Sequence, residues 1–183
     1  MCLIVCVLCA IVNLTYKTEV ALVMNRFIIP ASELCDKHAV KMPLEEAQML
    51  CTAHHELGSA VDGMYKPAHR NHPCSIWVRK TRGNYMWAFK YFHDMLIEKQ
   101  YRFGKPHASG RLSSILVNPP KNIDQSEEIT EFPQCMPDEF KCDDALLAYK
   151  SYLNSKFSEW SNREKPIVAK WTRRKIPDWV IIR

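Results

Sequence analysis

The chain has 183 residues, 47% of them hydrophobic and 25% charged, which provides apolar material for one core and too little length for two domains of ordinary size. Its net charge of +5 comes without low-complexity tracts or internal repeats, which sets aside disordered, fibrous and repeat architectures. Of the eight cysteines only Cys6 and Cys9 form a C-x-x-C pair, and the rest stand singly among apolar or helical residues, so free thiols in an intracellular protein are expected rather than a disulfide framework.

Cys2 to Val12 is a run of eleven apolar residues with no Lys or Arg ahead of it. It is shorter than the roughly twenty residues that cross a bilayer. Residues 1–23 are therefore expected to be an apolar extension, a cleaved leader or a misassigned start. Residues 24–183 then make a single helical domain beginning at Met24, a monomer with no membrane segment in its mature form. Weak alternation over Asn25 to Ile29 is the one strand-like stretch. Ser32 suits an N-cap for a helix toward Met42, where Pro43 either kinks that helix or opens a second one reaching about Leu57. Gly58 and Gly63 mark a loop, and Pro73 opens the next helix, with a possible break at Gly83 and Asn84. Trp87, Ala88, Tyr91, Phe92 and Met95 carry helical periodicity on to Gly104 and predict the core helix. Asn118 to Asp138, with its prolines and acids, reads as a long surface loop, and Asp143 to Trp160 as a last helix. The expected fold is mainly α, a compact single-domain helical bundle with long loops and little or no sheet.

Charge is segregated. Lys66 to Lys105 carries nine Lys/Arg against two acids, Arg163 to Arg183 seven against two, and Asn122 to Asp144 eight acids against one lysine. Two basic segments suit a phosphate backbone, and a solvated surface without a ligand is the alternative. Cations interleave with aromatics at Arg79, Arg82, Arg102 and Lys105, and again at Trp171, Arg173, Arg174 and Lys175. Cations neutralise phosphates while flat rings stack on unpaired bases. Double-stranded DNA is the partner this pattern predicts.

Chemistry has two candidate locations. His38, Lys41, Glu45, Gln48, Thr52 and His55 recur at spacings of three and four, so one unbroken helix aligns them in a titratable stripe. Leu34, Leu44, Ala47 and Leu50 lie opposite, so a solvated outer face explains the same pattern without catalysis. The block His69-Arg70-Asn71-His72-Pro73-Cys74 stands at a predicted helix start, where imidazoles and a thiol could hold zinc, free amides with Arg70 could hold a phosphate, or the loop could simply pack. No metal and no cofactor is assigned. The absence of G-x-G-x-x-G, Walker, G-x-S-x-G and H-E-x-x-H patterns removes nucleotide-dependent and serine-hydrolase chemistry.

The run Ser32-Glu33-Leu34-Cys35-Asp36-Lys37-His38, followed by Glu45, resembles the start of the endonuclease V-type pyrimidine-dimer DNA glycosylases, all-helical proteins with a catalytic glutamate at the matching offset. The wider pattern resembles phage proteins labelled as glycosylase-like. It comprises Asp36-Lys37-His38, Lys41-Met42, Glu45, Ala47-Gln48, His69 to Cys74, Trp77, Asn84-Tyr85, Tyr101-Arg102 and Pro137-Asp138-Glu139. The resemblance implies an α-amine at Met24 or Asn25 that attacks the deoxyribose C1′, a Schiff base, assistance by Glu45 with His38 beside it, and β-elimination. Asn25 stands where that family exposes a threonine, and Leu44 and Gln48 replace its basic residues near the glutamate. Lys41, His69, Arg70 and His72 are expected to join the basic residues above at the DNA. The alternatives are an enzyme acting on modified bases of phage DNA through His38, Glu45 and His72, or a catalytically inactive DNA-binding or host-interaction module.

Overall fold

A computed structural model describes residues 28–181; the apolar extension, Met24 and Asn25 lie outside the described residues. Those described are mainly helical, with no strand, and no helix among them is long and apolar enough to cross a membrane. A 3-10 turn, Ala31–Glu33, precedes α1 (Asp36–Glu56). Next come the short α2 (Pro73–Val78) and the 22-residue α3 (Arg82–Phe103). A second 3-10 turn (Ala108–Leu112) runs into α4 (Ser113–Leu116). The acidic loop then leads through a third 3-10 turn (Asp138–Phe140) to α5 (Ala145–Ser161) and an irregular tail.

Two apolar clusters form the core, and α3 supplies both. Tyr91 and Met95 join Leu34, Met42, Tyr149, Leu153, Phe157 and Trp171 in the first cluster. Tyr85, Ala88 and Phe92 join Leu50, Cys51, Cys74, Trp77 and Leu112 in the second. A helix that feeds two clusters is apolar around much of its girth, which is why the Trp87–Met95 periodicity is so legible.

Pro43 does not end the first helix. α1 runs through it, and although proline removes one amide and crowds the preceding turn, the ring is buried. The carbonyl of Val40, three residues before it, accepts a hydrogen bond from His107 Nε2 at 3.2 Å, while His107 Nδ1 accepts from the Ser109 amide at 3.1 Å. Both ring nitrogens are thus used by a neutral imidazole. Ser32 is not the N-cap either; it lies in the first 3-10 turn, and Cys35 precedes α1 without a side-chain cap. The Asp36 amide donates instead to the carbonyl of Lys170 in the tail, at 2.8 Å.

The break expected at Gly83 and Asn84 falls earlier, at 79–81, because Thr81 caps α3 by accepting from the Asn84 amide at 3.0 Å. The first amides of α3 are paired with the acidic loop: Arg82 N donates to Asp124 O (2.7 Å) and Gly83 N to Ser126 O (2.9 Å). An acidic segment therefore sits at the positive end of the helix dipole. Asn84 fastens the loop further, donating to Trp77 O and Thr130 Oγ1 and accepting from Thr130 N, all within 3.0 Å. Trp77 Nε1 adds a bond to Thr130 O at 3.1 Å. The long loop is a fixed strap, not a loose surface excursion. It approaches so closely that a Cβ on Gly83 would meet the carbonyls of Glu127 and Glu128.

At the other end of α3 the side chain of Arg102 has no exposed surface. Its Nε donates to Glu98 Oε1 (2.6 Å), and its two terminal nitrogens donate to Leu34 O (2.7 Å), Asp36 Oδ1 (3.1 Å) and Ser32 O (2.9 Å). The tail closes the same knot. Arg174 donates to both oxygens of Glu98, at 3.0 and 2.7 Å, and Thr172 donates to Asp36 through its amide (2.9 Å) and hydroxyl (2.7 Å). Two residues after Arg102, Gly104 ends α3 at φ +67°, the left-handed conformation that favours glycine.

Two outcomes follow from this architecture. Gly83→Ala should destabilise the fold by about 1–3 kcal/mol, since backbone carbonyls cannot yield as a flexible side chain can. Gly110→Ala, where a Cβ meets only Leu96 at 3.7 Å, should do much less. Equal costs in urea denaturation would contradict the strap. The second outcome concerns Glu98. Burial pushes its carboxyl up, but the hydrogen bonds of Arg174 and Arg102 outweigh that and hold it below its ordinary value of 4.5. Stabilisation from this group is complete above the unfolded value and is lost as pH falls through the folded one. Glu98→Gln should therefore be less stable than the parent at about pH 6, and the gap should narrow as pH falls below about 4.

Candidate functional site

The stripe from His38 to His55 exists as one helical face, but of its six members only Lys41 is exposed. Thr52 is fully buried, its hydroxyl 2.7 Å from Gln48 O and accepting from the Ala68 amide at 3.0 Å, and His55 Nε2 lies 3.0 Å from Tyr65 O. The lower half of the stripe pins the loop between α1 and α2 by pairing its backbone groups. Leu44, on the side expected to be apolar, is 37% exposed. The reading as a solvated outer face is overturned.

The upper half is different. Glu45 is only 8% exposed, and its Oε1 lies 2.7 Å from Lys41 Nζ, whose side chain is 69% exposed. A largely buried carboxylate is thus joined to an accessible amine. Lys41 also lines an open cavity of about 480 Å³ with Asp36, Lys37, His38, Val40, Phe103 and Trp160. Val40 and two rings, Phe103 from the end of α3 and Trp160 from α5, give it an apolar wall, while Lys37 and Lys41 add cations. His38 is held at that wall, its ring 5.3 Å from Trp160 and its Nδ1 3.4 Å from Cys35 Sγ. Burial, with repulsion from Lys41 and Lys37, lowers its pKa from 6.5 to about 4, so at neutral pH it is an uncharged wall and no store of protons.

The expected DNA contacts divide into available and committed groups. Lys105, His69, Arg173 and Lys175 are exposed, and Arg173 reaches Tyr101 O at 3.0 Å. Arg70 is exposed with Glu56 at 3.2 Å; Arg79 donates to Arg70 O at 2.8 Å, and Arg82 is paired with Glu127. Three assignments are corrected. Arg102 is enclosed in its knot and cannot reach a phosphate. Trp171 is a core residue, buried against Phe157 with its Nε1 donating to Glu33 O at 2.9 Å, so it is no stacking platform. His72 is buried as the N-cap of α2, its Nδ1 accepting from the Cys74 amide at 3.1 Å. Arg174 is partly committed too, lying between Glu98 and the Tyr101 ring, 4.4 Å from the centroid.

A second cluster brings together residues that the sequence keeps apart. One imidazole nitrogen of His72 and the sulfurs of Cys74 and Cys135 all lie within 4.8 Å of one another, with the sulfurs 3.6 Å apart. Cys135 comes from the strap, 61 residues beyond Cys74. Tyr149 fixes its backbone, donating to Pro133 O (2.7 Å) and accepting from Cys135 N (3.4 Å). The sequence signal was half visible, in His72-Pro73-Cys74. His69, the other imidazole of that block, is exposed at φ +50° and is not part of the cluster.

No known protein family, curated protein or solved structure matches this chain.

The neutral state of His38 has a measurable consequence. The unfolded imidazole takes up a proton near 6.5 and the folded one only near 4, so stability falls as pH drops across that interval. Relative to His38→Leu, the parent should lose about 3 kcal/mol more between about pH 7 and about pH 4. Parallel losses in urea titrations would mean that His38 is not held neutral.

Proposed function

We propose that this protein is a DNA glycosylase/lyase-type enzyme acting, as a monomer, on damaged pyrimidines in double-stranded DNA, with Lys41 as the amine nucleophile and Glu45 as its proton partner. The observation that carries this reading is the ion pair at the cavity: a buried carboxylate 2.7 Å from an accessible amine, beside an aromatic wall. The same glutamate occupies the position matching the catalytic one of the family that the sequence resembles. An extruded nucleotide needs a place to stack and a cation for its phosphate, and Trp160, Phe103 and Lys37 offer both. The exposed cations Lys105, Arg173 and Lys175 are further candidates for contact with the phosphate backbone.

The chemistry follows from the pair. A lysine ammonium is not a nucleophile until it loses a proton, and the Glu45 carboxylate lies within hydrogen-bond reach of it. The neutral amine attacks C1′ of the sugar. The glycosidic C–N bond breaks, its electron pair leaving with the base, which takes up a proton. The sugar ring opens to a Schiff base with Lys41, loss of a C2′ proton expels the 3′ phosphate by β-elimination, and water then hydrolyses the Schiff base to free the lysine. Met24 and Asn25, the source of the amine in the resembled family, lie outside the described residues.

Borohydride reduction of the protein mixed with dimer-containing or abasic duplex DNA tests this directly. A covalent adduct is expected, mapped by peptide mass spectrometry to Lys41. Lys41→Ala should abolish it, and Glu45→Gln should slow its formation by roughly 10²–10⁴-fold with the fold intact by circular dichroism. An adduct on the N-terminal segment would overturn the role of Lys41. Salt-sensitive DNA binding without any adduct would leave a binding module in place of an enzyme.

A further inference from the structure

We infer that His72, Cys74 and Cys135 form a zinc-binding centre that fastens the acidic strap to the start of α2. The donor set is the first argument. Two thiolates and an imidazole are the ligands of zinc and related soft or borderline divalent ions, and a poor choice for magnesium or calcium. Geometry is the second. A tetrahedral ion held by these three groups, with a water as its fourth ligand and Zn–S bonds of about 2.3 Å, holds two sulfurs roughly 3.8 Å apart, against the 3.6 Å between Cys74 and Cys135, which is well beyond a disulfide bond. The His72 nitrogen already lies within 4.8 Å of both sulfurs, so a few tenths of an ångström to about an ångström of side-chain movement closes the site.

Preorganisation is the third argument. His72 and Cys74 are set by the first turn of α2, with Pro73 between them and the His72 amide bonded to His69 O at 2.9 Å. Cys135 is brought in by the strap, which Asn84, Trp77 and Thr81 bind upstream and Tyr149 binds at the cysteine itself. Cys74 and His72 are buried and Cys135 half-buried, among Trp77 and Phe132, so the ion would sit in a largely apolar shell. On binding, both thiols release their protons to solvent as the S–Zn bonds form. The His72 cap must also change. Whichever ring nitrogen takes the ion, Nδ1 stops accepting the Cys74 amide, because its lone pair is then on the metal or it carries the ring proton.

The test uses the full chain, purified from zinc-supplemented cells without chelator. Metal analysis should find one zinc per chain. Replacement by cobalt(II) should give the thiolate-to-cobalt charge-transfer absorption and the intense visible bands of a tetrahedral site. Cys135→Ser and His72→Gln should each lower zinc affinity by more than tenfold, whereas Cys142→Ser, an exposed cysteine outside the cluster, should leave it unchanged. Cys135→Ser is the decisive variant, since Cys135 is not fully buried and its loss is readable with the fold verified by circular dichroism. Absence of bound metal, metal content indifferent to Cys135→Ser, or a Cys74–Cys135 disulfide in the protein isolated under reducing conditions would each overturn the inference. It stands independently of the glycosylase reading, because no step of its test measures activity.

Discussion

A guanidinium withdrawn from water must be surrounded by acceptors, and the enclosure of Arg102 constrains the rest of the molecule. Its partners come from the end of α3, from the segment before α1 and from the first residue of α1, and two of them, Glu98 and Asp36, are also held by the tail. Removing one member of such a buried, hydrogen-bonded set typically costs about 3–5 kcal/mol, because the remaining charges are left without compensation. The same contacts fix the cavity. Asp36 begins the helix that carries Lys37, His38 and Lys41, and Phe103 follows Arg102 directly. The position of the Glu45–Lys41 pair relative to its aromatic wall therefore depends on an ion-pair network that touches neither of them.

The two candidate sites draw on different parts of the core. The cavity lies at the Cys35, Phe157 and Trp171 cluster, and the His72–Cys74–Cys135 group at the Trp77 and Tyr85 cluster. α3 connects them, with Trp87 packed against both. At its N-terminus α3 binds the strap that delivers Cys135, and at its C-terminus it holds the Arg102 knot. An element loaded at both ends has little freedom to move without disturbing one site or the other.

How much of this is legible in the sequence depends on where each partner comes from. α3 and α5 are readable because their periodicity is local, although the break read at Gly83 and Asn84 falls earlier, at the Thr81 cap of α3. The start of α1 is not, because its first amide is satisfied by Lys170, far along the chain. Pro43 reads as a kink or the start of a second helix, yet its ring is buried and α1 continues through it. Thr52 and His55 read as solvated because sequence shows their polarity and not the loop backbone that uses it. Local charge sums mislead in the same way. Arg102 and Arg82 count toward a basic segment, but one is spent on a buried network and the other on the acidic strap. Spacing and resemblance single out Glu45 as a candidate, whereas Cys135 has no local signal at all.

Hydrogen–deuterium exchange of the intact protein tests the central claim most directly. If the Arg102 network locks the tail onto the α1–α3 pair, the amides of Asp36, Thr172 and Arg174 should be protected in the parent and should lose protection together in Glu98→Gln. The core amides of α3 around Tyr85 to Phe92 should stay slow in both proteins. Rapid exchange at Thr172 and Arg174 in the parent, with α1 and α3 still protected, would contradict the account, because the tail would then be an appendage and the knot would not hold the site.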